Sequence, residues 1–317
     1  MKNVFTRTLA TALTLIAAAT SAHAAQDKSY VRGDGGAGFN CSDHLNACTT
    51  FTSALTNTNA GGVIYCLNSI LDGVINITKS ITIDCTNTNS SIVAVGANAA
   101  ITVNGAGIVV TLRGLKIRGQ GGSFGVNVVN AAAVIIEDSA ISNFTVAPAI
   151  GIKFAPSAGA QLVVTDTSIT NNGSGAIGGG IVVNPGAGGT AQVTLNRVSI
   201  AKNVFGIAVD GTGSTGGINM TATESVSSSN SQDGILAVTP GGGAPIGLYL
   251  KNSSSLNNAI GIRSIGAGVT VRVDGSSVIG NGTGLSFSGG GALLTAGNNM
   301  IQANGANGTF SGTVGLQ

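Results

Sequence analysis

One short block recurs along this chain: Gly, Ile or Val, an apolar alternation, a Gly/Ala-rich stretch, a second alternation, then Ser-x-Ile-x-x-Asn. Its clearest copies begin at Gly125, Gly151, Gly180, Gly206, Gly234, Gly261 and Gly284, at steps of 26, 29, 26, 28, 27 and 23 residues. An Asn closes each copy: Asn143, Asn172, Asn203, Asn230, Asn258, Asn281 and Asn304. A unit of this length cannot bury an apolar face by itself. Stacked on copies of itself it can, so the period specifies a solenoid.

Each copy holds three short strands, as in Gly151-Ile152-Lys153-Phe154, Leu162-Val163-Val164 and Ser168-Ile169-Thr170. Upstream, Val74 to Thr78, Ile81 to Ile83, Ile92 to Val95 and Ile101 to Val103 alternate with period two, burying one face and wetting the other. A βα solenoid needs a helical run between strands, and none is present. Three strands and three bends per copy therefore predict an all-β, single-stranded parallel β-helix of about nine to ten coils. Parallel crossovers are right-handed in nearly all cases, which fixes the expected hand. The closing Asn is expected to tolerate left-handed backbone geometry and to form a ladder, and the Gly after it to supply a tight bend and close backbone approach.

Residues 1–24 read as a signal peptide: Lys2 and Arg7 precede the apolar stretch Leu9 to Thr20, and Ala22-His23-Ala24 is a small-residue cleavage motif. The apolar stretch is too short to span a bilayer. Export to the periplasm or the extracellular space follows. Residues 25–62 are expected to form an N-terminal cap and 63–317 the β-helix. Within the cap, Phe51, Ala54 and Leu55 share one face of a short helix, with Thr49 or Thr50 as N-cap. A helix laid across the first coil would cover the unpaired backbone that a solenoid end exposes.

The four cysteines fit an oxidising compartment. Cys66 and Cys85 each end a strand, 19 residues apart. Strands stacked about 4.8 Å apart lie within disulfide reach, so Cys66 is paired with Cys85 and Cys41 with Cys48. A zinc site including His44 is the rival, and the spacing speaks against it. Fifty glycines would also be compatible with disorder, but Val, Ile and Leu recur in register throughout. A net charge of +2 provides no steering field toward nucleic acid or membranes.

The Gly-Ile-x-Val … Ser-Ile-x-x-Asn repeat, over roughly residues 63–310, resembles that of right-handed parallel β-helix proteins of the pectate-lyase-like superfamily. The segment from Cys41 through Gly61-Gly62-Val63-Ile64 to Ile81-Thr82-Ile83 is similar to secreted bacterial β-helix proteins without established activity. The resemblance implies a fold and leaves the chemistry open. Polygalacturonase-like hydrolases need paired Asp residues with His-Gly and Arg-x-Lys segments; this chain has no Asp-Asp pair and only His44 outside the leader. The Asp-Pro-His segment of alginate epimerases is absent. Calcium-dependent pectate lyases use carboxylates in successive coils and an Arg as base.

For that last chemistry one column stands out. Asp138, Asp166, Arg197, Glu224 and Asn252 occupy nearly the same coil position, giving a ligand-binding candidate with Arg197 as base or carboxylate anchor. Asp138 and Asp166 are the calcium candidates, and no cofactor is expected outside this lyase alternative. The competing reading is a bend ladder in which Arg197 relieves like-charge stacking. A second group, Arg113, Lys116 and Arg118, could bind an acidic polysaccharide, but a solvated face is expected, with Glu137 placed to pair with Arg113. Arg32-Gly33-Asp34 reads as coincidence. The Gly-rich segments 178–180 and 241–243 lie between strands, so they are not phosphate loops. Aromatic platforms for sugars are scarce: no Trp and three Tyr, at 30, 65 and 249.

The function expected from these features is a non-catalytic exported β-helix presenting a flat face to a polysaccharide or the cell envelope. A lyase or glycosidase acting on an acidic polysaccharide is the alternative, and a structural or adhesin-like surface module the third reading.

Overall fold

A computed structural model describes residues 25–36 and 39–315; the leader expected at 1–24 lies outside them. The chain winds into an all-β parallel solenoid whose strands fall into three sheets, here sheet I of 12 strands, sheet II of 10 and sheet III of 9. Each coil visits sheet III, then I, then II, as in Phe205–Asp210, Ile218–Thr223 and Val226–Ser228. From the first to the last of the nine sheet III strands the stack amounts to about eight turns, just short of the nine to ten coils expected. Leu71–Asp72 and Gly312–Thr313 are two-residue strands, and sheet III stops at Thr283–Ser288.

The period-two alternation becomes vertical columns of identical environment. In sheet I, Val110, Val134, Leu162, Val193, Met220, Leu248, Val271 and Leu293 stack in register and are all buried. Sheet II contributes Ile92, Ile117, Ile141, Ile169 and Ile200. Each such side chain is worth about 1.5–3 kcal/mol of burial, and one continuous core results.

The closing Asn residues line up inside. From Asn172 to Asn281 they are 2–4 % exposed. From Asn203 onward each carboxamide oxygen accepts two bonds from the coil before: Asn230 Oδ1 takes the backbone N–H of Asn203 (3.0 Å) and its Nδ2 (3.3 Å). Left-handed geometry sits one residue earlier than expected, at Asn171, Lys202, Ser229 and Asn257 (φ 54–61°). In the first copy Asn143 is that exposed left-handed residue, and buried Phe144 fills the ladder position, its N–H donating to Asn172 Oδ1 (3.1 Å). The repeat glycines are not bends either. They are inner residues of sheet III strands, and a Cβ on Gly206 would lie 2.4 Å from Gly234 O and 2.8 Å from Asn230 Nδ2. Close approach to the next coil and to the Asn ladder, rather than positive φ, demands glycine there.

In the segment 25–62, Gln26–Val31 joins sheet I as its first strand, parallel to Thr58–Cys66. The helix Phe51–Asn57 follows, with Thr50 as N-cap accepting from Ser53 N, and it buries Phe51, Ala54 and Leu55. Cys41–Cys48 and Cys66–Cys85 are disulfide-bonded, with Cα separations of 4.9 and 4.7 Å.

Candidate functional site

The bend between sheets I and II is two residues long, and its first residue must be left-handed to turn the chain so sharply. Asp138, Asp166, Arg197, Glu224 and Asn252 are those residues, with φ of 46, 49, 52, 51 and 47°. Gly114 and Gly275 hold the same place in neighbouring coils. The backbone N–H of each donates to a carbonyl of the next coil, as from Asp166 to Asn196 O (3.1 Å) and from Arg197 to Thr223 O (3.1 Å). Asp, Asn and Gly suit this conformation; Arg and Glu do not. Bend geometry therefore explains the position of the column and leaves Arg197 and Glu224 to be explained by charge.

Next to this column runs a second ladder of hydroxyls. Ser225 Oγ accepts from Val198 N (3.1 Å) and donates to Thr223 O (2.9 Å); Ser253 and Ser276 continue it. These serines belong to the fold.

Arg197 forms a fork with Asp166, its Nε and Nη2 each 2.6 Å from a carboxylate oxygen. The guanidinium holds the Asp166 carboxyl below the usual carboxylate range, and Asp166 raises Arg197. Glu224 and Asp138 add smaller attractions to Arg197. A base must give up its proton, and this arrangement moves Arg197 the other way. The pair also fits calcium poorly. Calcium takes six to eight oxygens; both Asp166 oxygens face a guanidinium, and no group of three or more His, Cys, Asp or Glu capable of holding a metal occurs among the described residues. Asp138 and Asp166, with Lys116, Ala140 and Ser168, line a shallow open groove of about 550 Å³.

The other candidates separate. Arg113 lies on the outer face of sheet I, where Nε meets Glu137 (2.6 Å) and Nη1 meets Asp84 (3.4 Å); the Asp84 partner is not apparent from spacing. Lys116 and Arg118 are on sheet II, across the bend, and Lys116 Nζ donates to Asn89 Oδ1 (2.6 Å). Arg32 and Asp34 close on each other (2.9 and 2.7 Å). His44 packs edge-on to Tyr30, 4.9 Å between centroids, far from the column in sequence and elsewhere in the fold.

Two features are not legible in the sequence. Tyr30 stacks on Tyr65 at 5.8 Å, because the unforeseen first strand of sheet I places them in register. Asp233 is fully buried on the outer side of sheet III and pairs with Arg263, while its Oδ1 has no partner. Desolvation raises the Asp233 carboxyl, with Arg263 opposing in part.

Among solved structures, the chain is similar to the crystal structure of pectate lyase Pel9A, with a TM-score of 0.63 and 16 % identity over 94 % of this chain and 80 % of that one. It is also similar to an alginate lyase from Paenibacillus sp. str. FPU-7, with a TM-score of 0.56 and 15 % identity over 84 % of this chain and 97 % of that one. The fold is the right-handed parallel β-helix. At such identities the likeness concerns the fold. No family model matches the chain, and no curated protein matches it. No helix among the described residues is long and apolar enough to cross a membrane.

Proposed function

We propose that this protein is an exported β-helix that holds a polysaccharide without cleaving it. The observation that carries the reading is the Arg197–Asp166 fork: the column's one candidate base is bonded through Nε and Nη2 to the neighbouring carboxylate, which raises its proton affinity. Two disulfides support an oxidising compartment outside the cytoplasm. The helix Phe51–Asn57, packed against Gln26–Val31, Thr58–Cys66 and Ile75–Ile77, would act as the end plug of the solenoid. The β-helix offers long flat faces along which an extended polymer can lie.

A second reading, a polysaccharide lyase, is favoured by the fold neighbours, which are a pectate lyase and an alginate lyase. It would place substrate along the groove of Lys116, Asp138 and Asp166.

The two separate in one assay. The purified protein is incubated with polygalacturonate and alginate, with and without calcium, and unsaturated products are followed by ultraviolet absorbance. Polymer retention without product formation is expected. Release of unsaturated sugars that disappears in Arg197→Ala would overturn the non-catalytic reading in favour of the lyase.

A further inference from the structure

The middle of sheet I carries a neutral lattice. The strands Gly159–Thr165, Thr190–Asn196 and Ile218–Thr223 pair without a register shift. Their outward side chains fall into three columns: Gln161, Gln192, Asn219; Val163, Thr194, Thr221; Thr165, Asn196, Thr223. Parallel geometry spaces them about 4.8 Å between strands and about 6.6 Å along each strand. Eight of these nine are hydroxyls or amides, and none is charged.

Those polar groups are not consumed by the fold. At the bends, the hydroxyls of Ser139, Thr167, Ser225, Ser253 and Ser276 each donate to their own chain's carbonyl. On the lattice, Gln161 bonds Gln192 (3.2 Å), and the threonines face solvent as a regular, planar set of donors and acceptors. Along one margin the lattice borders an open groove of about 390 Å³ lined by Ala133, Gly159, Gln161, Thr190 and Gln192.

Charge decides the class of partner. The opposite margin is the bend column, where Asp138, Asp166 and Glu224 stand against Arg197 alone. Three acids against one base disfavour a polyanion along that margin. The cations on the same face lie outside the lattice, Arg113 held by Asp84 and Glu137 at one end, and Lys251 beside Asp274 with Arg272 at the other. The lattice itself therefore offers a polyanion no charge partner. The same outer face of sheet I also holds all three tyrosines of the chain: Tyr30 and Tyr65 stacked at one end, and Tyr249 beyond the lattice, opposite Thr221. Tyrosine joins an apolar ring to a hydroxyl and suits the faces of sugar rings.

We infer that this outer face of sheet I is the binding surface, and that its ligand is an extended, uncharged polysaccharide whose hydroxyls meet the Thr/Asn/Gln lattice. The inference rests on the polysaccharide reading above and narrows it, away from the uronate polymers named for the fold neighbours.

The test is affinity electrophoresis of the full chain in gels containing hydroxyethyl cellulose, arabinoxylan, polygalacturonate or alginate. Retardation by a neutral polymer is expected. The double variant Thr194→Arg/Thr221→Arg should weaken it at least tenfold, and Thr194→Val/Thr221→Val, which keeps shape and β-branching, several-fold. Ser199→Arg/Ser254→Arg on sheet II, outside both grooves, should leave it unchanged, with thermal melts reporting that all variants fold. Stronger retention by polygalacturonate or alginate, or undiminished retention of both threonine variants by the neutral polymers, overturns this assignment and leaves the polysaccharide reading standing. No retention by any of the four polymers overturns that reading itself.

Discussion

Replacing Asn230 by Ala should cost far more than an Asn→Ala change at a polar surface. Asn230 is 2 % exposed and lies mid-ladder. Its Oδ1 accepts from Asn203 N (3.0 Å) and Asn203 Nδ2 (3.3 Å); its Nδ2 donates to Asn258 Oδ1 (2.9 Å) and Ser227 Oγ (3.1 Å). After truncation several groups keep other partners. Asn203 Nδ2 still reaches Ile169 O (3.1 Å), Asn258 Oδ1 still takes Asn230 N (3.0 Å), and Ser227 Oγ still donates to Gly234 O (2.7 Å). The Asn203 backbone N–H is the donor left stranded. One orphaned buried donor costs about 1–3 kcal/mol, and the vacated volume adds to it, so a loss of about 2–4 kcal/mol is expected. Asn304, the last repeat position of the same ladder, accepts the same pair of bonds from Asn281 N and Nδ2 (2.9 Å each) and donates to Asn307 Oδ1. It is only partly buried, however, so water can reach the Asn281 donor once the side chain is removed. Asn304→Ala should cost about 1 kcal/mol. Equilibrium unfolding in guanidinium, followed by circular dichroism and by hydrogen exchange at the Asn203 amide, measures both. Equal costs for the two variants, or an unchanged exchange rate at Asn203, would refute the idea that the ladder stabilises by satisfying buried backbone donors.

Val198 interrupts the hydroxyl ladder, so Val198→Thr, nearly isosteric, should stabilise by about 0.5–1 kcal/mol in the same unfolding assay; a net loss would show that the ladder does not need continuity. The Cys66→Ser/Cys85→Ser variant opens a loop of 19 residues and should lose about 3 kcal/mol, measured by chemical unfolding under non-reducing conditions. Because burial raises the Asp233 carboxyl in the folded state, its stabilising contribution is full below the ordinary carboxylate range and is lost as pH rises through the folded value. Asp233→Asn should therefore gain in stability relative to the unmodified protein between acid and neutral pH; a difference that is flat or reversed across a pH series of melts counts against it. Arg197→Ala, which removes a solvent-exposed fork, should leave both the melting temperature and polymer retention unchanged.

The repeat glycines and asparagines carried the architecture in linear form. A residue that fits only without a Cβ, followed at fixed distance by an amide able to donate and accept, leaves few ways to stack, and the period-two columns between them name the core side chains. The Cys66–Cys85 pair was legible for the same reason, since residues one coil apart are neighbours, and Cys41–Cys48 followed as the remaining pair closing a small loop. Some local details needed three dimensions: whether Asn143 or Phe144 enters the ladder, and which residue takes left-handed φ, turn on one-residue offsets that sequence period does not resolve. Gln26–Val31 was invisible as a strand because its partner follows a helix, outside any repeat. For the site, the sequence identified the column Asp138–Asp166–Arg197–Glu224, yet only side-chain geometry shows that Arg197 is bonded to Asp166. The neutral lattice of sheet I was scattered through three copies as ordinary Thr, Asn and Gln. Stacking at one-coil spacing turns those residues into a surface, and that juxtaposition exists only in the folded chain.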